Sequence, residues 1–353
     1  MTIAPGASAD LVHAIVTGRA PSGFDLRVYL PLGPVAGDER PITVDQTNVS
    51  VVVGEAVVVK WMREPQPAAR APRLLAHLAA AGFTRMPPPH AALFRDDALI
   101  ALVTGFLPEA EDGWDWCTNA LLSWLDGGPA ADFAPALGIL AADLHAALAT
   151  GPGSPALLNG VHPKSPEAPR SATAPPSALA EALACVGDDA EGVWLRSVAP
   201  RIAADISVSS SYDSPAPAIE LHGDLHVGQV LRWRGGYAVT DFDGNPTVEP
   251  RPEPVVRDLA QLRTSVLHVA EIANRRTEGR HRETLLTWGR AAADDLLTAY
   301  RAGLAAHGCA HLLDETPLRP LEIEQECREL IYAARFLPRW RYAPMGVLRS
   351  WYG

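Results

Sequence analysis

Alternating and β-branched runs dominate the first hundred residues. Asn48 to Val53 and Ala56 to Trp61 are two such runs separated by Gly54-Glu55, a spacing that predicts a hairpin. Arg73 to Ala81 is rich in Ala and Leu and is followed by Gly82 and then by Pro87 to Pro89, which predicts a short helix and its stop. Ala98 to Val103 reads as a further apolar strand that closes at Thr104-Gly105. Together these segments predict a small sheet with one helix.

The period then changes. Leu137, Leu140, Leu144 and Leu148 recur at steps of three, four and four, one face of a helix. Residues 151–180 hold seven prolines with several Gly and Ser, which predicts a loop or insertion. Ala/Leu-rich helices are expected near 177–186 and 190–206. Gly235-Gly236 separates Gln229–Trp233 from Tyr237–Phe242, a second hairpin, and helices resume from about 255 to the end. No internal repeat is present.

Composition narrows the class. The 353 residues exceed one typical domain, so two lobes or a large insertion are expected. Hydrophobic residues at 48% with 20% charged fit a globular chain with a real core, and the net charge of −11 argues against a nucleic-acid partner while suiting a cationic ligand. No run of about 18 apolar residues exists, so no membrane span is expected. Met1 to Asp10 has neither a basic region nor an apolar core, so no secretory leader is expected either. Cys117, Cys185, Cys309 and Cys327 are far apart, which predicts neither a zinc knuckle nor a disulfide framework and points to a reducing cytoplasm.

The densest polar cluster is Leu221-His222-Gly223-Asp224-Leu225-His226-Val227-Gly228-Gln229, followed by Thr240-Asp241-Phe242-Asp243-Gly244. Gln229 lies five positions after Asp224, and Asp241 lies seventeen after it. Phosphoryl transfer from ATP needs a carboxylate beside the acceptor hydroxyl and oxygen ligands for magnesium between the phosphates. In protein kinases a catalytic Asp stands five positions before an amide ligand, and a metal-binding Asp before Phe-Gly follows. Asp224 fits the base, Gln229 the amide ligand, Asp241 the metal carboxylate and Asp243 a second ligand. Two other readings use the same residues. The aspartates can simply cap turns, or His222, Asp224 and His226 can alternate onto one face of a strand as a metal triplet, with His145 or His268 as the distant partner.

The segment His222–Gln229 with Asp241-Phe242-Asp243-Gly244-Asn245-Pro246 closely resembles bacterial maltokinases, of the aminoglycoside phosphotransferase and choline kinase group. Similar residues recur at Gln46-Thr47-Asn48-Val49-Ser50, at Asp112-Gly113-Trp114 and at Tyr332-Ala333-Ala334-Arg335. The resemblance implies an α+β, bilobal protein-kinase-like fold. Residues 1–103 would form an antiparallel-sheet nucleotide-binding lobe, and residues 104–353 a mostly helical catalytic and acceptor-binding lobe. It also implies that Lys60 reaches the α- and β-phosphates of ATP, that Thr47, Asn48 and Ser50 cover the phosphates, and that Thr104 stands at the adenine hinge. Asp258 would brace the catalytic loop through backbone hydrogen bonds. One departure stands out: kinases pair the strand lysine with a glutamate on the next helix, and Arg73–Leu78 contains no acid. Glu64 is the nearest substitute, and a non-catalytic nucleotide-binding regulator is the reading this departure leaves open.

The acceptor is expected among the C-terminal helices. Glu322, Glu326 and Glu329 are spaced four and three apart and share a helical face. Tyr332 and Trp340 add aromatic planes beyond it. Hydroxyl acceptors beside a stacking plane suit a sugar, and a row of carboxylates suits an ammonium group; a solvated acidic face is the plainer alternative. Gln325-Glu326-Cys327-Arg328-Glu329 resembles actinobacterial glucosamine kinases, which implies transfer from ATP, with magnesium, to the 6-hydroxyl of glucosamine. A maltokinase making maltose 1-phosphate and an aminoglycoside phosphotransferase are the alternatives of the same reaction type.

Overall fold

The computed structural model describes residues 3–42, 48–150, 177–210, 214–245 and 251–353. Most of the proline-rich segment and the residues Gln46-Thr47 and Pro246 lie outside the described residues. The chain divides into two compact units, residues 1–112 with 229–249 and residues 113–228 with 250–353. In this division the second hairpin falls with the N-terminal sheet.

The first unit is built on a six-stranded antiparallel sheet in the order β1-β5-β6-β4-β3-β2. The strands are β1 (Asp25–Val28), β2 (Glu39–Ile42), β3 (Val49–Val53), β4 (Val57–Pro67), β5 (Pro89–Arg95) and β6 (Ala98–Gly105). The β3–β4 hairpin turns where the sequence predicts it, pairing Val53 with Val57 and Ser50 with Lys60. β4 runs further than the apolar pattern because its far end pairs with β6 again after an irregularity between Trp61 and Gln66. β1 and β2 are edge strands with mostly exposed or half-buried side chains, so they carry no hydrophobic period to detect.

Helix α1 (Ala7–Thr17), also absent from the sequence expectation, packs Leu11, Val12 and Ile15 on Val51, Val53, Val57 and Val59. Its start is fixed by the Glu39 carboxylate, which accepts from the Gly6 and Ala9 N–H groups at 3.0 and 2.7 Å. An anion there satisfies orphan donors and complements the helix dipole. α2 (Ala71–Ala80) carries a proline in its first turn, where the missing N–H costs nothing. The hairpin β7 (Val230–Trp233) and β8 (Gly236–Val239) joins this unit through Val239 N–H donating to Arg85 O and through reciprocal backbone bonds between Arg232 and Glu111.

The second unit is helical: α3 (Gly113–Leu125), α4 (Ala134–Leu148), α5 (Ser177–Cys185), α6 (Ala190–Ser210), α7 (Val256–Arg276), α8 (Arg282–Ala306), α9 (Leu318–Phe336) and α10 (Tyr342–Tyr352). The leucine face predicted over 137–148 is real: Leu137, Leu140, Leu144 and Leu148 are all buried. Each such side chain contributes about 1.5–3 kcal/mol by leaving water. A second cluster joins Leu179, Leu195 and Ile202 to Ile323, Leu330 and Leu348. A 3-10 turn, Pro338–Trp340, links α9 to α10 at the break that Pro338 predicts.

Candidate functional site

The loop around Asp224 is held by a stripe of side chains along α7. Asp258, in its first turn and buried, accepts from His222 N–H at 2.9 Å through Oδ2 and from Gly223 N–H at 3.0 Å through Oδ1. Gln261, one turn on, donates from Nε2 to Asp224 Oδ1 at 2.6 Å. Ser265, a further turn on, accepts from Val227 N–H at 3.0 Å. Behind Asp258 lies a buried chain: His145 Nε2 at 3.2 Å from its Oδ2, and the Tyr300 hydroxyl at 2.7 Å from His145 Nδ1. Burial would raise the Asp258 carboxyl, but the hydrogen bond to His145, the nearby imidazoles and the Gly223 N–H together hold it below the ordinary carboxylate value.

Gly223 takes φ of 80°, a left-handed turn that favours glycine. The loop is therefore not a strand, and His222, Asp224 and His226 do not alternate onto one face. His222 is buried and its Nδ1 accepts from Asp224 N–H at 3.3 Å. Among the described residues no group of three or more His, Cys, Asp or Glu side chains is arranged to hold a metal. The metal-triplet reading is corrected accordingly.

From Asp224 an aromatic wall continues within the same unit. His226 Nε2 lies 3.8 Å from Asp224 Oδ2, and its ring stacks on Trp114 with centroids 5.5 Å apart. Trp114 meets Trp340 edge-on at 5.1 Å, and His268 meets Trp340 at 5.4 Å. Gly228 makes this possible: a Cβ there would stand 2.3 Å from Trp114 Nε1 and 2.8 Å from His226 Cε1.

The three glutamates of α9 have different partners. Glu322 is buried between Arg263 Nε at 2.7 Å and Arg319 Nη1 at 3.3 Å, so both of its oxygens are engaged. Glu326 is fully buried, with Oε2 2.8 Å from His268 Nε2 and Oε1 without a hydrogen-bond partner among the described residues. Glu329 accepts from Gln325 Nε2 at 3.0 Å and from the Trp340 indole N–H at 2.9 Å. Tyr332 is 39% exposed, its hydroxyl pushed up by burial and then by the charges of Glu329 and Asp224. A plain solvated acidic face is therefore not what α9 presents.

Burial, with Glu329 and Glu322 adding repulsion, raises the Glu326 carboxyl well above its ordinary 4.5, and burial lowers His268. Both shifts favour a neutral pair. A carboxyl raised by folding contributes stability at low pH and loses it as pH climbs from about 4.5 through the raised value. Glu326→Gln is therefore expected to be more stable than the parent at pH 8 and to lose that advantage at pH 5, read by urea denaturation at both. An advantage of equal size at both pH values would contradict the raised carboxyl.

In the first unit, Lys60 Nζ lies 3.2 Å from Asp241 Oδ1 and 3.0 Å from Asp243 Oδ2. Burial draws the ammonium down, but the two carboxylates outweigh it and raise Lys60 above its ordinary value. Burial and the charge of Asp241 push Asp243 up, against the pull of Lys60. Glu64 is exposed on β4, and the helix glutamate missing from α2 is replaced by this pair of aspartates. Asp241 holds a positive φ of 59° and turns the chain out of the hairpin. Gln229 ends the 3-10 turn Val227–Gln229, and its carbonyl accepts from Thr240 N–H at 2.9 Å, tying it to the start of the aspartate loop. Asn48 and Ser50 are buried, Ser50 directly across from Lys60, and Thr104 pairs with Val58 and Pro89. Two carboxylates crowded on one cation form a hard oxygen donor set, which fits a divalent metal.

Gln261 and Tyr300 carry no signal in the sequence that marks them as site residues, and His145, offered as a distant metal partner, instead backs Asp258. Gln261 stands three positions after Asp258 on α7, a spacing that places both on one face. His145 and Tyr300 are separated by 155 positions, and no local pattern joins them.

No protein-family model matches the chain. It is 39% identical over 96% of its length to a glucosamine kinase of Streptacidiphilus jiangxiensis, covering 79% of that protein. It is 36% identical over 89% of its length to a glucosamine kinase of Mycolicibacterium smegmatis, again covering 79%. A glucosamine kinase solved in complex with glucosamine, ADP and inorganic phosphate superposes with a TM-score of 0.80 at 34% identity, over 100% of this chain and 84% of that one.

Proposed function

The chain belongs to the glucosamine kinase family, with that family's bilobal, kinase-like α+β fold, and on that premise we propose that it transfers the γ-phosphoryl group of ATP to the 6-hydroxyl of glucosamine. Asp224 accepts the hydroxyl proton as the new O–P bond forms and the bond to the β-phosphate oxygen breaks, releasing ADP. The Gln261 amide at 2.6 Å from Oδ1 keeps the Asp224 carboxylate oriented. Asp258 fixes the loop. Lys60 neutralises phosphate charge, Asn48 and Ser50 line the phosphate end, and Thr104 stands at the adenine edge. Asp241, Asp243 and the Gln229 amide oxygen would hold magnesium brought with ATP, which neutralises phosphate charge when bound.

The observation that carries the choice of acceptor is the run of contacts from Asp224 through His226 and Trp114 to Trp340, Glu329 and Glu326. Aromatic faces suit a sugar ring, Tyr332 stands near the base, and the amine would find the Glu329 carboxylate, which the Trp340 indole orients. Glu322, engaged by two arginines, supports this face from behind.

The reading predicts that Glu329→Gln raises KM for glucosamine roughly 10- to 100-fold, the range of a hydrogen bond to a charged group, while KM for ATP stays unchanged. Steady-state kinetics with each substrate varied decides it. An unaltered KM for glucosamine would remove Glu329 from amine recognition.

A further inference from the structure

Trp340 and its hydrogen bond to Glu329 sit on a turn that the Trp114 and His268 rings touch on one side only. None of Pro338, Arg339 and Trp340 is buried. The next residue, Arg341, supplies an anchor. Its Nη1 and Nη2 donate to the two oxygens of Asp189 at 2.7 Å each, and its Nε lies 3.1 Å from Glu191 Oε2.

The anchoring aspartate is itself fixed. Asp189 precedes α6 and its Oδ1 also accepts from Gly192 N–H at 2.9 Å, an N-cap arrangement. The guanidinium, followed by the Gly192 N–H, holds the Asp189 carboxyl down at about 2. A planar fork on a carboxylate that is already oriented fixes direction as well as distance, which a lone surface pair does not. On the other side, Tyr342 packs under Arg275, whose guanidinium carbon lies 4.2 Å from the ring centre.

We propose that Arg341 is a positioning residue for the sugar acceptor: its fork on Asp189, with the Glu191 charge beside it, ties the Trp340 turn to the start of α6 and thereby sets the affinity for glucosamine without touching the phosphoryl-transfer step. The inference rests on the reading that Trp340 and Glu329 seat the sugar. It makes acceptor affinity dependent on ionic strength, because Arg341 and Asp189 are partly exposed, with side-chain exposures of 24% and 55%, and salt screens such pairs.

The test compares the full-length parent with Arg341→Met, Arg341→Lys and Glu191→Gln. Arg341→Met is expected to raise KM for glucosamine about tenfold, the effect of losing one charge-assisted pair, with kcat at saturating sugar and KM for ATP unchanged. Arg341→Lys, which keeps the charge but loses the fork, and Glu191→Gln fall between. KM for glucosamine rises with added NaCl in both the parent and Arg341→Met, because the amine itself meets a carboxylate, and it rises more steeply in the parent. Amide hydrogen exchange over 338–342 quickens in Arg341→Met, while exchange in β3 and β4 stays unchanged. Unaltered exchange in Arg341→Met overturns the clamp, and faster exchange with an unaltered KM overturns its link to affinity. Absence of glucosamine turnover by the parent overturns the underlying reading instead, and the exchange comparison separates that failure from failure of the clamp.

Discussion

Asp224→Ala is expected to lower kcat by about 10²–10⁴-fold, the usual contribution of a positioned proton acceptor, with ATP binding retained. The reasoning is geometric. Asp224 accepts a side-chain hydrogen bond from Gln261 at 2.6 Å and lies 3.8 Å from the His226 ring nitrogen. The backbone that carries it is fixed by Asp258 and Ser265 rather than by its own side chain. Removing the carboxylate therefore deletes the base without releasing the loop. Lys60 and its two aspartates belong to the other unit, so nucleotide affinity by isothermal titration should match the parent. Full turnover in the variant would remove Asp224 from the chemistry.

Asp258→Ala is expected to be the most damaging change to the fold near the site. It leaves the His222 and Gly223 N–H groups and His145 Nε2 without their acceptor in a fully buried position. Breaking a buried charged network by removing one partner costs about 3–5 kcal/mol, which for a domain of this size lowers Tm by on the order of 10 °C. Turnover should fall with it, because the loop bearing Asp224 loses its fixed conformation. The milder Tyr300→Phe removes only the far end of the same chain and is expected to cost about 1 kcal/mol. A thermal melt of Asp258→Ala within a degree or two of the parent would contradict the bracing role.

Legibility in the sequence follows the range of the interactions. The β3–β4 hairpin, the leucine face of α4 and the Asp224–Gln229 spacing are short-range patterns, and each was readable from a dozen residues. β1, β2 and α1 were missed for different reasons. The two strands are polar edges, and α1 is short, starting behind a glycine with a cap supplied by Glu39, far along the chain. The acidic face of α9 was visible at i, i+4 and i+7, but not the different fates of its members. Those are set by Arg263, His268 and Trp340, which come from other helices or turns. The absence of an acid on α2 is legible in the sequence. Its replacement by Asp241 and Asp243 is not, because the partners of Lys60 lie 181 and 183 positions away.

The measurement that tests the account most directly is ADP release with ATP and magnesium across glucosamine, glucose, N-acetylglucosamine, maltose and an aminoglycoside. The account predicts a strong preference for glucosamine over glucose and over the acetylated sugar, because the carboxylates read a free amine. Equal rates on glucose, or a preference for maltose, would contradict it.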